Sequence, residues 1–390
     1  MSKILIITSQ YIGVASASGI CAGNICCELK KRGHDVFVLC YENGIPKENI
    51  YTIPSPPLKI KRDIFSKIYR KFRSVFTPNL NKHLIKHYKY STLNICKKEK
   101  FDAVISVSFP LETLTAVKTV KKSFPDTKTV IYELDSVGDG ICNSSVFKRT
   151  TIKAYERWQS RCYRYADRIV VMQSHEEYWK KTFGKKFGDK LMLSDIPVLV
   201  EKSLPDISKD ASAPVSFLYG GLIERSYRSP SHLLSVYESY LNYEKASLDF
   251  YSKGDCEELI AEAAKKTEGI SLHGYVPQET LDEAIAKSDV LVSIGNRVSR
   301  SVPSKLITYL SYGKPVVHFS SQKDDVCASY LEKYPLGLVL KEWDFAEENA
   351  KKLYEFARQT RGKKVAFSEV EDLLKMNTPA YSAELICNVL

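Results

Sequence analysis

The stretch Ser301–Val317, SVPSKLITYLSYGKPVV, decides how the chain is read. Just upstream, Val290–Ile294 is a short apolar run that ends in Gly295 and Asn296. That pattern fits a buried strand running into a polar loop. Pro303-Ser304 then opens a helix, Ser304–Tyr312, with Ser304 placed to cap it. Gly313 ends the helix, and Lys314-Pro315 leads into a further strand, Pro315–Phe319. A helix N-terminus offers free N–H groups and a partial positive charge, which suits a phosphate. An ordinary strand-helix-strand unit explains the same spacing but not the two polar loops.

The units on either side repeat this alternation. Lys202–Pro214, with two prolines and three serines, reads as a linker. After it come a strand (Val215–Tyr219), a Gly220-Gly221 turn and a helix (Pro230–Leu241). A strand (Ala246–Tyr251), a helix (Cys256–Lys266), a strand around Ile270–His273 and a helix (Gln278–Lys287) complete the approach to Val290. Before the linker, Ile4–Thr8, Asp35–Cys40, Ala103–Val107, Val130–Leu134 and Arg168–Met172 read as parallel-sheet strands separated by helical stretches. Ser9–Gly23 reads as a loop rich in small residues. Asn24–Arg32 reads as a helix closed by Gly33 in the left-handed region. The fold class is therefore α/β, with two Rossmann-like domains expected to face each other across a cleft. Residues 1–202 and 203–374 are the expected domains, with a C-terminal helix of about 375–390 packing back on the first. A chain of 390 residues is comfortable as two domains of roughly 150–200 residues.

Composition narrows the classes. Apolar residues make up 44% and charged residues 26%, as in globular domains. No run of 18 apolar residues is present, so no membrane-spanning helix is expected. The apolar N-terminal run is too short for a secretory core and reads as a buried strand, with no signal peptide. Ten cysteines, without a C-x-x-C pair or zinc-ligand spacing to a histidine, read as reduced and buried in a cytoplasmic protein. The net charge of +11 is concentrated in part in Lys59–Arg73, where seven basic residues face one acid, Asp63. Apolar residues at 60, 64, 68 and 72 make that segment a basic amphipathic helix. It fits a peripheral contact with the inner face of a membrane, and equally a stripe packed on the sheet with a solvated basic face. No nucleic-acid module is present, and no nucleic-acid partner is expected.

Candidate ligand-binding residues sit at strand ends. Gly220 and Gly221 permit a close backbone approach. Arg225 and Arg228 follow, where guanidinium groups suit a diphosphate. A surface turn with solvated arginines satisfies the same residues. In the first half, Glu133 and Asp135 lie at and just past a strand end, as a base near an acceptor hydroxyl would. A turn-capping Asp135 and a structural Glu133 fit equally well. Gly13, Ser18 and Gly19 lie in the loop after the first strand, on the expected acceptor side; its glycines Gly13, Gly19 and Gly23 are not at G-x-G-x-x-G spacing, which speaks against a dinucleotide-dependent dehydrogenase.

At Pro303-Ser304-Lys305-Leu306, Tyr309 and Gly313-Lys314-Pro315-Val316-Val317, the sequence resembles GT-B glycosyltransferases, in particular family 4-like enzymes of bacterial polysaccharide synthesis. Tyr219-Gly220-Gly221-Leu222, Arg228-x-Pro230, His273-Gly274-Tyr275-Val276-Pro277 and Ser288–Val292 support it. The resemblance is specific over about 215–320 and loose before that. It implies transfer of a sugar, hexosyltransferase-like, from a nucleotide-diphosphate sugar to a saccharide or lipid-linked saccharide in surface polysaccharide synthesis. The nucleotide sugar is then a co-substrate. No cofactor and no metal are expected, because the fold needs no D-x-D and Asp324-Asp325 lies outside the expected loops. It implies donor contacts from Gly220, Gly221, Arg225, Arg228, Asn296, Ser304, Lys305 and Thr308, with Asp135 on the acceptor side. The family usually places a glutamate before the motif tyrosine to hold the ribose. Thr308 stands there instead, and a neutral hydroxyl binds more weakly than a carboxylate. A silent GT-B scaffold in a polysaccharide assembly complex and a nucleotide-sugar epimerase of the same fold are the rival expectations.

Overall fold

A computed structural model describes residues 1–11, 16–41, 48–55, 77–137, 148–207, 212–297 and 301–390. The segment Lys59–Arg73 and the residue Gly13 lie outside the described residues. The chain divides into two compact units. One comprises Met1–Val198 with Met376–Leu390, and the other Leu199–Lys375.

The first unit is a seven-stranded parallel sheet. Its strands are β1 (Lys3–Ile7), β2 (Asp35–Tyr41), β3 (Ile50–Ile53), β4 (Ala103–Ser108), β5 (Lys128–Glu133), β6 (Arg168–Met172) and β7 (Leu191–Ser194). Their order is β3-β2-β1-β4-β5-β6-β7. Helices α1 (Ala17–Lys31), α2 (Lys82–Lys98), α3 (Leu114–Ser123) and α4 (Lys148–Tyr163) connect the strands. The central strands are buried on both faces, which is why they read as continuous apolar runs.

The second unit holds β8 (Val215–Ile223), β9 (Ala246–Gly254), β10 (Ile270–Leu272), β11 (Val290–Ile294), β12 (Val316–Ser320) and β13 (Gly337–Lys341). Their order is β10-β9-β8-β11-β12-β13, again parallel. Its helices are α5 (Ser231–Tyr240), α6 (Glu257–Lys266), α7 (Gln278–Lys287), α8 (Ser304–Ser311), α9 (Val326–Leu331), α10 (Ala346–Thr360) and α11 (Phe367–Leu373). Phe217, Tyr237, Phe250, Val292, Phe319 and Leu353 belong to its core.

The last helix, α12 (Pro379–Cys387), is part of the first unit. Thr378 caps it by accepting a hydrogen bond from the Tyr381 N–H. Ala383 and Ile386 enter the core beside α1. The Tyr132 hydroxyl meets Ser382 Oγ at 2.8 Å, and the Arg32 guanidinium donates to the Ala380 carbonyl at 2.8 Å. Tertiary contacts thus bring chain ends nearly 400 residues apart into one core.

Among the stretches read from the sequence, two take a different form. Ser9–Gly23 is not all loop, because α1 begins at Ala17 with Ser16 as its cap. Its small residues have a packing reason: a Cβ on Gly19 would stand 3.0 Å from the Gln10 carbonyl oxygen. Gly220-Gly221 is not a turn. β8 runs through both to Ile223, paired with β9 throughout. Gly33 does take positive φ, +85°, after α1.

Gly313, just past α8 in the 301–317 stretch, has φ +68°, and a Cβ there would overlap the Val365 carbonyl oxygen. Gly313→Ala is expected to cost about 2 kcal/mol or more, read as a lower urea midpoint. An unchanged midpoint would contradict the requirement for glycine.

Candidate functional site

In the second unit the sheet changes direction between β8 and β11. From β8 the chain goes outward to β9 and β10, and from β11 to β12 and β13. Ligands of open α/β sheets bind at such a switch point, outside the carboxyl ends of the strands. β11 pairs with β8 only at Phe217 and Leu218. Past Leu218 the two strands part, so one edge of Gly220 has no strand neighbour. The Tyr309 hydroxyl closes that gap. It accepts from the Gly220 N–H at 2.7 Å and donates to the Gly220 carbonyl at 3.0 Å. A Cβ on Gly220 would stand 3.1 Å from that hydroxyl and 3.2 Å from Leu281. Glycine is therefore what lets α8 approach the strand.

The opening that results is lined by Gly220, Gly221, Arg228, Ser293, Pro303 and Lys305, with Tyr219 and Tyr309 in its wall. Residues distant in sequence, from β8, β11 and α8, thus converge at one strand-end pocket. Arg228 is half-buried. Its Nε donates to Asn296 Oδ1 at 2.6 Å, and its guanidinium lies over the Tyr227 ring at 5.4 Å. Asn296 is buried and donates its Nδ2 to the Ser301 carbonyl at 2.7 Å. It therefore links Ser301 to the arginine and aims the guanidinium. Burial pushes the Tyr219 hydroxyl up to about 12, while the nearby Arg228 charge works against that rise. Burial lowers the pKa of Lys305, Asp282 opposes that, and Lys202 adds to it.

Other expected residues fall differently. The side chain of Arg225 is exposed, and its backbone N–H is held by Asp255 at 2.6 Å. Ser304 is the first residue of α8 and not its cap. Pro303 occupies that position and no side chain caps the helix. The Ser304 carbonyl accepts the Thr308 hydroxyl at 3.0 Å, so Thr308 donates its proton within its own helix.

In the first unit, Asp135 lies just past β5 and is half-buried. Its Oδ1 accepts the Ser136 N–H at 3.0 Å and lies 3.8 Å from His175 Nε2. His175 follows β6 and was not singled out from the sequence, because only the fold brings it beside Asp135. Glu133 is fully buried. It accepts from the Ser108 hydroxyl, from Tyr163 at 2.6 Å and from Gln159 at 3.2 Å. Burial raises its pKa against those three bonds. Enclosed in this way, it presents no face to an acceptor, and the structural reading replaces the catalytic one. Ser18 and Gly19 lie in the first turn of α1, with Ser18 Oγ 3.5 Å from Ser9 Oγ.

No family model matches the sequence, and no curated protein matches it. Solved structures do match the fold. The lipopolysaccharide outer core galactosyltransferase WaaB superposes with a TM-score of 0.62 at 14% identity, covering 99% of this chain and 98% of that one. The α,α-trehalose-phosphate synthase (UDP-forming) of Burkholderia xenovorans gives 0.65 at 8% identity, covering 99% of both chains. A putative UDP-N-acetylglucosamine 2-epimerase of Listeria monocytogenes gives 0.57 at 9% identity, covering 99% and 94%.

Tyr309→Phe would leave the Gly220 N–H and carbonyl without that partner. A loss of about 1–3 kcal/mol is expected, measured by thermal denaturation. A melting temperature equal to the parent's would contradict the bond's structural weight. On its two Rossmann-like sheets and these superpositions, the chain has the GT-B fold.

Proposed function

We propose that the protein is a glycosyltransferase that takes a sugar from a nucleotide-diphosphate sugar, the donor lying in the β8–β11 pocket. The observation that carries this reading is the convergence of Gly220, Gly221, Arg228 and Lys305 on that pocket. Two glycines allow a diphosphate to approach the backbone, and two cations offset its charge. The synthase is UDP-forming and the epimerase is named for UDP-N-acetylglucosamine, so uridine nucleotides are the first donors to try. In this reading Asn296 acts through Arg228, Asp135 beside His175 is the acceptor-side candidate, and no metal is required.

The finer proposal is a saccharide or lipid-linked saccharide acceptor in surface polysaccharide synthesis, reached at the cytoplasmic face of a membrane. The exposed faces of α2 and α3 support it, since Lys82, Lys86, Lys89, Lys118 and Lys122 line one groove beside the exposed Tyr90. Clustered lysines attract an anionic surface at about 1 kcal/mol each. Replacing Lys86, Lys89 and Lys122 by Glu should abolish sedimentation with anionic phospholipid vesicles at low salt. Unchanged sedimentation would remove this face from the membrane proposal.

The epimerase reading stands on the Listeria superposition. Incubation with a donor and a saccharide acceptor separates the two, since a transferase yields a new glycoside and nucleoside diphosphate. A scaffold would bind no donor. A thermal-shift panel of nucleotide sugars at millimolar concentration tests this first. A ligand at 100 times its Kd stabilises by about 2.7 kcal/mol, so one donor should raise the melting temperature by several degrees. Arg228→Ala should remove most of that rise, and EDTA should leave it intact. A flat panel would contradict the donor site. Loss of turnover on adding EDTA, with rescue by a divalent ion, would contradict metal-independent transfer.

A further inference from the structure

One side chain in the pocket wall is backed by a buried chain of hydrogen bonds that the donor reading has not used. Ser293 on β11 and His318 on β12 are register partners in adjacent parallel strands. Ser293 lines the pocket. His318 behind it is completely buried. Its Nδ1 lies 3.0 Å from Ser293 Oγ, and its Nε2 lies 2.9 Å from Asp325 Oδ2. Asp325 is the N-cap of α9, and its Oδ1 accepts the Cys327 N–H at 2.9 Å. Gly295, where β11 ends, makes room for this pair: a Cβ there would stand 2.8 Å from Asp325 Oδ2 and 3.3 Å from His318 Nε2.

The direction of the bonds follows from the carboxylate. Burial pushes the Asp325 pKa up, but the His318 bond and the Cys327 N–H outweigh it and hold the group below its usual range. An ionised carboxylate only accepts, so Nε2 carries the imidazole proton. With that as its single proton, the ring leaves Nδ1 a lone pair and the Ser293 hydroxyl donates to it, whereas a second ring proton would reverse this bond. With its proton committed inward, Ser293 keeps an Oγ lone pair at the wall of the pocket that the residue lines. At position 308 the hydroxyl of Thr308 donates to the Ser304 carbonyl, and no carboxylate stands there.

Resting on the donor-site reading, we propose that Ser293, oriented by Asp325 through His318, accepts a hydrogen bond from a hydroxyl of the bound nucleotide sugar. The hydroxyl belongs either to the ribose or to the sugar ring. Ser293 is then a binding residue, and His318 and Asp325 are positioning residues. A metal would need the same donors, since His318, Asp325 and Cys327 place ligand atoms within 4.8 Å of one another. Burial instead keeps the Cys327 thiol protonated, and the three groups are already bonded without an ion.

The test compares the parent protein with Ser293→Ala and Asp325→Asn by calorimetry, using UDP-glucose, UDP and their 2′- and 3′-deoxyribose analogues. Ser293→Ala should weaken UDP-glucose about tenfold. If the partner is a ribose hydroxyl, UDP weakens equally and one deoxy analogue is insensitive to the substitution. If it is a sugar hydroxyl, UDP binds the variant as it binds the parent. Asp325→Asn keeps the shape but offers an N–H to Nε2, so it should reproduce the loss with the fold retained. Nitrogen-15 NMR of the histidines should show His318 as the Nε2–H tautomer, unchanged by a chelator. An Nδ1–H tautomer, a chelator-dependent spectrum, or a Ser293→Ala loss equal for every ligand would overturn the proposal. Parent-like binding by Ser293→Ala would overturn it alone, whereas a parent protein that binds none of these nucleotides would overturn the donor-site reading beneath it.

Discussion

A single phenolic hydroxyl lets the second sheet open a pocket without leaving backbone groups unpaired. Beyond Leu218, β8 loses β11 on one side yet continues to Ile223. Buried N–H and carbonyl groups need partners there. Tyr309 provides both for Gly220 from α8. The bond fixes the helix against the strand, and the helix places Lys305 and Pro303 on the pocket wall. It also explains why position 220 is glycine, since a side chain would displace the hydroxyl that completes the strand. Arg228 reaches the same pocket from the other side, steadied by Asn296.

Much of the architecture was legible because a parallel sheet demands apolar runs in strands buried on both faces. Ile4–Thr8, Asp35–Cys40, Ala103–Val107 and Val290–Ile294 each carry that signal and are observed as strands. Ile50–Ile53, Leu191–Ser194 and Gly337–Lys341 were not read. They are short strands toward the sheet margins, only partly buried, and none has more than three consecutive apolar residues. The start of α1 was missed for a different reason. Ser16, Ser18, Gly19 and Gly23 look like a loop locally, and only the close approach of Gln10 to Gly19 shows why a helix keeps them.

The candidate site was legible where its residues are contiguous. Pro303 and Lys305, and likewise Gly220-Gly221, can be read along the chain, and all four line the pocket. What could not be read is how hydrogen bonds apportion the side chains. Glu133 looks like a strand-end acid, but three partners enclose it. Thr308 looks like a ligand for a ribose, but it bonds its own helix. Asp325 looked irrelevant to the pocket, yet it connects to it through His318, seven residues upstream. Such pairings follow from register and burial, which no local pattern records.

The proposed donor site requires a nucleotide diphosphate to bind in the β8–β11 pocket. A crystal structure with the nucleotide sugar that most raises the melting temperature tests it most directly. Phosphate oxygens are expected within hydrogen-bond distance of the Arg228 guanidinium, close to the Gly220-Gly221 backbone. A nucleotide bound elsewhere on the molecule, with the Arg228 guanidinium out of reach of its phosphates, would contradict it.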